Sequence, residues 1–285
     1  MKINNAIPRE HKYLQLLTNI TDAPKSLNYT GTLPATRVPS VAIVGTRKPT
    51  AYGKEVTYRF AYELAQKGIV VVSGLALGVD GIAHRAALEA GGTTIAILGN
   101  GLSSVYPSSH RQLAATIVDQ GGAIISEYAN GTPALPYQFL KRNRIVSGIS
   151  DAVIITEAAS RSGTLNTAMH AMDQGKDVFV VPGNITSPMS LGCNSLLRQG
   201  ASPLVHSDDI LEAIAPHVLR PQHKLALGNT PTEIAVIEFL QLGGRDGDAM
   251  QQKLQISATD LSSTLTMLEI AGTIRALGAN QWTLR

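Results

Sequence analysis

Six short apolar runs punctuate the chain: Val41–Val44, Ile69–Val72, Thr94–Leu98, Ala123–Ile125, Ala152–Ile155 and Val178–Val181. They are rich in β-branched residues and do not alternate apolar with polar, so they read as strands buried on both faces. Helical patterns lie between most of them, over Tyr52–Gln66, Gly81–Glu89, His110–Val118 and Thr164–Met172. Strands that alternate with helices are joined by crossovers, and a sheet built from crossovers is parallel with helices on both faces. The expected core, residues 41–215, is an extended Rossmann-like α/β domain with a doubly wound, mainly parallel sheet.

Residues 1–40 read as an extended lead-in that packs on the sheet edge, with one helical stretch around His11–Asn19. Residues 216–229 are polar and Pro-containing, the composition of a linker. Beyond them, Thr230-Pro231-Thr232-Glu233 combines a cap residue, Pro at the first helical position and Glu at the third. A helix to about Leu242, a second over Asp248–Leu254, a third from Ser257 to about Ala271 and a hairpin of Ile274–Leu277 with Gln281–Leu284 are expected. Residues 230–285 therefore read as a small C-terminal winged-helix domain.

With 44% hydrophobic and 16% charged residues the chain is an ordinary globular one. A single cysteine, Cys193, cannot close a disulfide within the chain, and the first residues lack the apolar stretch of a leader. A cytoplasmic location is expected. No apolar run approaches the length of a membrane helix. The net charge of +3 permits a polyanionic partner without requiring one.

Ligands of doubly wound sheets bind at the carboxyl ends of the strands, and Gly45, Gly74, Gly99 and Gly183 stand just past four of them. The first strand runs into Gly45-Thr46-Arg47-Lys48 before a helix, placing two cations and free amides where an anion is favoured. Arg47 stands where a dinucleotide fingerprint needs its second glycine, and the second strand ends in Ser73-Gly74 rather than an acid. NAD binding is thereby disfavoured, and no cofactor is expected. Phosphate-binding loop, nucleophile-elbow and Cys/His metal patterns are also missing. His84 could pair with Asp80 at helical spacing, which is more readily a structural hydrogen bond than catalysis. The turn Arg161-Ser162-Gly163-Thr164 makes a second anion cradle and Gly192-Cys193-Asn194 a weaker third.

Between Pro136 and Arg144 three cations and two aromatics crowd together: Tyr137, Phe139, Lys141, Arg142 and Arg144, with Asn143 among them. Cations for phosphates beside an aromatic for a base is the combination that single-stranded nucleic acid binding uses. The same residues could equally open a helix with Phe139 in the core and the charges solvated.

In its motifs the chain resembles the DNA-processing protein A family. The matches are Val-Ala-Ile-Val-Gly-Thr-Arg, Ser-Gly-Leu-Ala-Leu-Gly-Val-Asp-Gly-Ile-Ala-His, Leu-Gly-Asn-Gly-Leu with Tyr106-Pro107, Ser126-Glu127-Tyr128, Arg142-Asn143-Arg144-Ile145, Arg161-Ser162-Gly163-Thr164, and Val181-Pro182-Gly183-Asn184 with Gly192-Cys193-Asn194. The resemblance implies a homodimer that binds and protects single-stranded DNA and helps load the RecA recombinase in natural transformation. It also implies residue roles. Arg47, flanked by Gly45, Thr46 and Lys48, binds phosphate; Phe139 stacks on a base; Lys141, Arg142 and Arg144 with Asn143 form the basic cluster; Gly163 and Thr164 complete the pocket wall, and Asn194 joins the DNA-binding set.

Two departures stand out. Many members carry Phe-Pro-x-Arg-Asn-Arg where this chain has Phe139-Leu140-Lys141-Arg142-Asn143-Arg144, and 40 residues before the first strand cannot hold a complete sterile-alpha-motif domain. The rival reading is a nucleotide phosphoribohydrolase, whose motif Pro-Gly-Gly-x-Gly-Thr-x-x-Glu carries a catalytic glutamate. Thr167 takes that position here. A double-stranded DNA regulator acting through the winged helix is a third reading, weakened because Thr259–Ala271 contains no Lys or Arg.

Overall fold

Every residue of the six apolar runs is buried in the computed structural model, which describes residues 2–219 and 230–284. The described residues fall into two units divided after Leu219. In order, the first contains β1 (Asn4–Ala6), β2 (Leu27–Gly31), β3 (Ser40–Val44), α1 (Ala51–Gln66), β4 (Val70–Ser73), α2 (Val79–Glu89), β5 (Thr94–Leu98), α3 (Arg111–Asp119) and β6 (Ala123–Ser126). There follow α4 (Pro136–Ile149), β7 (Ala152–Ile155), α5 (Thr164–Asp173), β8 (Asp177–Val180), α6 (Leu191–Arg198), β9 (Ser202–Pro203), α7 (Ser207–Ile214) and α8 (Pro216–Leu219). The strands form one nine-stranded sheet in the order β1-β2-β6-β5-β4-β3-β7-β8-β9. All pairings from β6 to β9 are parallel, so the doubly wound sheet is as expected.

The chain order reverses between β3 and β7, and this switch point opens a crevice at the carboxyl ends of the two strands. Apolar layers pack on both faces of the sheet. One includes Phe60, Leu64 and Ala83 of α1 and α2. The other holds Ile145, Val146 and Ile149 of α4 against Tyr13, Leu14 and Leu17 of the N-terminal segment.

That segment belongs to the fold more intimately than a lead-in would, so the first unit is wider than the expected span of 41–215. β2 pairs antiparallel with β6, and β1 with β2, adding two strands to the sheet. Tyr13 is fully buried with its hydroxyl 2.9 Å from Ser40 Oγ. The helical stretch expected over His11–Asn19 is a single 3-10 turn, Gln15–Asn19. Of the expected linker, residues 216–219 form α8, and residues 220–229 lie outside the described residues.

The second unit has α9 (Pro231–Gln241), α10 (Gly247–Leu254), α11 (Ala258–Ile270), β10 (Ile274–Gly278) and β11 (Gln281–Leu284). Its caps are those the sequence announces: Thr230 Oγ1 accepts from the Glu233 amide while Glu233 Oε2 accepts from the Thr230 amide, and Ser257 Oγ accepts from the Asp260 amide. Ala279 and Asn280, both at positive φ, make the two-residue turn between the hairpin strands. Val236, Leu240, Leu261, Leu265 and Leu268 fill its core.

His84 does not meet Asp80. It is buried with Nδ1 2.7 Å from Thr94 Oγ1, whose own proton goes to the Val71 carbonyl. His84 therefore donates and is neutral. Burial, followed by the nearby charge of His110, pulls its pKa down to about 3 from the usual 6.5. The unfolded chain binds the extra proton, so this contribution to stability is complete above pH 6.5 and declines as pH falls toward 3, by at most about 1.4 kcal/mol per pH unit. Chemical denaturation of the wild type and His84→Gln between pH 7.5 and 4.5 should show a shallower pH slope in the variant; parallel slopes would show that His84 titrates normally.

Candidate nucleic-acid interface

The loop after β3 is fixed by contacts that leave little room. A Cβ on Gly45 would lie 2.6 Å from Val79 Cγ2 and 2.9 Å from the Glu157 carbonyl oxygen, so only glycine fits there. Thr46 donates its amide to the Glu157 carbonyl at 2.8 Å and accepts from the Val79 amide at 3.1 Å. Arg47 and Lys48, next in the loop, are exposed.

The anion cradle expected at the start of α1 is already filled by the protein's own carboxylate. Glu157, buried just past β7, accepts from the Thr50 amide at 2.8 Å and from Thr50 Oγ1 at 2.7 Å. A phosphate there would meet that negative charge. The third cradle is closed in a different way: the Gly192 and Asn194 amides are taken by the Ala158 and Ser190 carbonyls. Asn194 clamps Gly183, donating to its carbonyl at 3.1 Å and accepting from its amide at 3.3 Å, away from the cleft at the switch point. Only the second cradle stays open in part. A Cβ on Gly163 would touch Leu140 Cδ2 alone, at 3.8 Å, although Ser162 Oγ already accepts from the Thr164 amide.

The stretch from Pro136 to Arg144 lies in α4, which starts with Pro136 at its first turn. Residues on a helix advance by about 100° each. The five charged and aromatic positions therefore cannot share one face, and the expected basic cluster is split. Phe139, Arg142 and Asn143 turn toward the cleft. Lys141 and Arg144 turn toward the N-terminal segment, where Asp22 forms an ion pair with each, at 3.3 and 3.4 Å. Arg144 is also buried against Glu127 at 2.7 Å. These pairs lower the Asp22 carboxyl from its ordinary value, Lys141 having the largest effect.

Arg142 is not a solvated phosphate ligand either. It is buried, and Nη1 donates to the Gly74 carbonyl at 2.7 Å and to the Ile97 carbonyl. The guanidinium occupies the space that a Cβ on Gly74 would need. Desolvation lowers its pKa to about 10, with Asp80 opposing that effect, so it remains charged at neutral pH. Asp80 Oδ2 accepts from the Gly74 and Ala76 amides at 3.0 and 3.3 Å, and burial pushes its carboxyl above the usual range. Arg142 and Asp80 thus hold one peptide loop together, the first at the Gly74 carbonyl and the second at the Gly74 and Ala76 amides.

What remains at the switch point is a cleft of about 230 Å³. Gly45 and Arg47 form one side, Phe139 and Asn143 another, and Gly163 and Thr164 a third, with Asp80 and Arg142 in its floor. Of the expected site, Gly45, Arg47, Phe139, Arg142, Asn143, Gly163 and Thr164 converge on it. Lys141, Arg144 and Asn194 do not, and Thr46 and Lys48 belong to its flanking loop. The Arg47 guanidinium carbon lies 5.9 Å from the Phe139 ring centroid, and Tyr106 packs on the same ring at 5.3 Å. Sequence reasoning assigned Tyr106, Asp80 and Glu157 no part in the site. The signals were present, since each follows closely on a strand end. Among the described residues no cluster of His, Cys, Asp and Glu could hold a metal ion.

Residues 4–215 match the family model described as DNA recombination-mediator protein A. Protein Smf of Escherichia coli K12 is 37% identical over 292 aligned residues, covering 99% of this chain and 78% of that protein. The X-ray structure of DNA processing protein A from Streptococcus pneumoniae superposes with a TM-score of 0.69 at 37% identity, covering 75% of each chain. DNA processing protein A from Helicobacter pylori, solved to describe its single-stranded DNA binding mode, gives 0.65 at 34% identity, covering 74% of this chain and 95% of that one.

Removing the Arg142 guanidinium leaves the buried Gly74 and Ile97 carbonyls without this donor, a cost of about 2–6 kcal/mol for two groups at about 1–3 each. Arg142→Ala should therefore lower the free energy of unfolding by about that much, read from the denaturant midpoint. A variant as stable as the wild type would place Arg142 among the free cations after all.

Proposed function

Because the chain belongs to the DNA recombination-mediator protein A family, we propose that its switch-point cleft holds single-stranded DNA. The observation that carries this reading is the meeting of an exposed cation, Arg47, with the half-buried ring of Phe139 on the rim of one cleft. A nucleotide joins a phosphate to a flat apolar base, and this rim offers a partner for each. Lys48 in the same loop adds a second cation to the path. Glu157, Asp22 and Glu127 neutralise other polar ends nearby, which leaves Arg47 and Lys48 of this loop, with exposed Arg161 of the loop after β7, to attract a polyanion.

The same reading covers the protein's role and partners: protecting single strands and helping to load RecA in transformation, as a homodimer in the cytoplasm. Family resemblance supports this part. We also read the chain as a binding protein without turnover of its own. Thr167, which lines the cleft where a phosphoribohydrolase would present its glutamate, has a hydroxyl with no basic character at neutral pH. Asp80, the carboxylate of the cleft floor, is committed to two backbone amides.

The second unit is read as a winged helix that meets protein rather than DNA. Its α11 exposes Met267 and Ile270, at 60% and 78%, and has no cation to offer a phosphate.

The decisive measurement is fluorescence anisotropy of oligo-dT across a salt series. Wild type should bind at micromolar concentration or tighter, with log affinity falling by about 0.7 per phosphate contacted for each tenfold rise in salt. Arg47→Ala should weaken binding and flatten the slope by about that amount. An unchanged slope would remove the cleft from the path of the backbone. A chain ending at Leu219 should keep the wild-type affinity, and its loss would assign DNA contacts to the second unit.

A further inference from the structure

Two large apolar side chains stand exposed beside Arg47 although the packing of the fold does not require it. Leu77 is 46% and Tyr106 48% exposed. They belong to different strand-end loops, one between β4 and α2 and the other following β5. With Ala76, Pro107 and Phe139 they line a slot that Arg47 borders. The Tyr106 and Phe139 rings are tilted by 34° at 5.3 Å, and Arg47 approaches Phe139 as well. Phe139 is half-covered by these neighbours, so Tyr106 presents the more accessible aromatic surface.

The loop that carries Leu77 is held from every direction. Asp80 takes the Gly74 and Ala76 amides, Arg142 donates to the Gly74 carbonyl, and His110 Nδ1 donates to the Leu75 carbonyl at 2.9 Å. Leu75 adopts a left-handed φ of 59° while fully buried, a conformation that surrounding contacts must impose. Gly78, at φ 76°, packs so closely on Arg47 that a Cβ would lie 2.6 Å from the Arg47 carbonyl carbon. Through this contact and the bond from the Val79 amide to the Thr46 carbonyl, the apolar slot is fixed relative to the cation. Exposed leucine and tyrosine at loop tips are usually mobile, whereas here these buried groups hold the Leu77 loop, and buried Asn100 holds the Tyr106 loop by donating to the Gly101 and Ser104 carbonyls.

We propose that Leu77 and Tyr106 form a second base-binding slot, which takes a nucleobase adjacent to the one at the Phe139 cleft, with the phosphate between the two bases at Arg47. The proposal rests on the single-strand reading given above. A flat apolar ligand with a negative charge at its edge is what an apolar slot bordered by one guanidinium accommodates. The slot reads no base edge, so it accepts any base.

The test uses oligo-dT carrying one internal 2-aminopurine, whose fluorescence is quenched by stacking, titrated with full-length wild type, Tyr106→Ala, Tyr106→Phe, Leu77→Ser and Arg47→Ala. Tyr106→Ala is expected to weaken binding roughly five- to 150-fold, the range for loss of one stacked base. The salt slope should not change, because stacking releases no counterions. Tyr106→Phe should restore both affinity and quenching, since the ring and not the hydroxyl is used. Leu77→Ser changes an exposed residue, and its weaker binding decides the matter if Tyr106→Ala misfolds. If Tyr106→Ala and Leu77→Ser bind like wild type while Arg47→Ala does not, the slot is overturned and the single-strand reading stands. If wild type fails to bind, or Arg47→Ala has no effect, the single-strand reading itself has failed. A changed oligomeric state with unchanged oligo-dT affinity would give the slot to a second copy of the chain and overturn the proposal.

Discussion

The hydrogen bonds that buried Arg142 and buried Asp80 each make to the loop after β4 are the constraint on which the strand-end face depends. Parallel strands that end at one level leave carbonyl groups and amides of their turns without partners, and a buried orphan of either kind costs about 1–3 kcal/mol. Here one guanidinium joins the carbonyls of Gly74 and Ile97, just past β4 and within β5, while one carboxylate gathers the amides of Gly74 and Ala76. Two opposite charges buried together stabilise each other and take on the hydrogen bonds that water would otherwise make. Because both anchor the same loop, the geometry of the cleft floor and of the wall beside it is settled by this one set of hydrogen bonds.

A division of labour among like residues follows. Of the polar and charged side chains crowding this end of the sheet, most neutralise each other: Glu157 caps α1, Asp22 takes Lys141 and Arg144, and Glu127 takes Arg144 again. Arg47 and Lys48, with Arg161 of the loop after β7, are left facing solvent. A modest net charge is therefore no measure of the local field. A few unpaired cations at the mouth of a cleft attract an anion more effectively than a larger number whose charges are cancelled nearby.

The sheet was legible because burial on both faces leaves a pattern in the residues themselves: Val41–Val44 and Ile95–Leu98 contain no polar position at which a solvent face could lie. The end of the sheet that binds was legible too, from glycines such as Gly45 that mark close approach. The charges were not. Lys141, Arg142 and Arg144 are near neighbours in sequence, yet helical rotation sends them to two faces, and what each meets there is decided by Asp22, Asp80 and Glu127, distant in the chain. The filled cradle at α1 was hidden for the same reason, since Glu157 reaches Thr50 from 107 residues away. The N-terminal strands escaped notice because Asn4–Ala6 and Leu27–Gly31 are short and polar. Their partner on the sheet supplies the pattern that they lack.

The antiparallel edge also bears on the order in which the chain can assemble. β2 finds its neighbour in β6, and Asn28 donates to the Tyr128 carbonyl across 100 residues. Loop closure over such a distance is entropically unfavourable until the strands between have formed and brought the ends together. Strands made before the parallel core are thus among the last to find their place. The segment that carries them closes the sheet and covers α4 only once the parallel core stands ready to receive it.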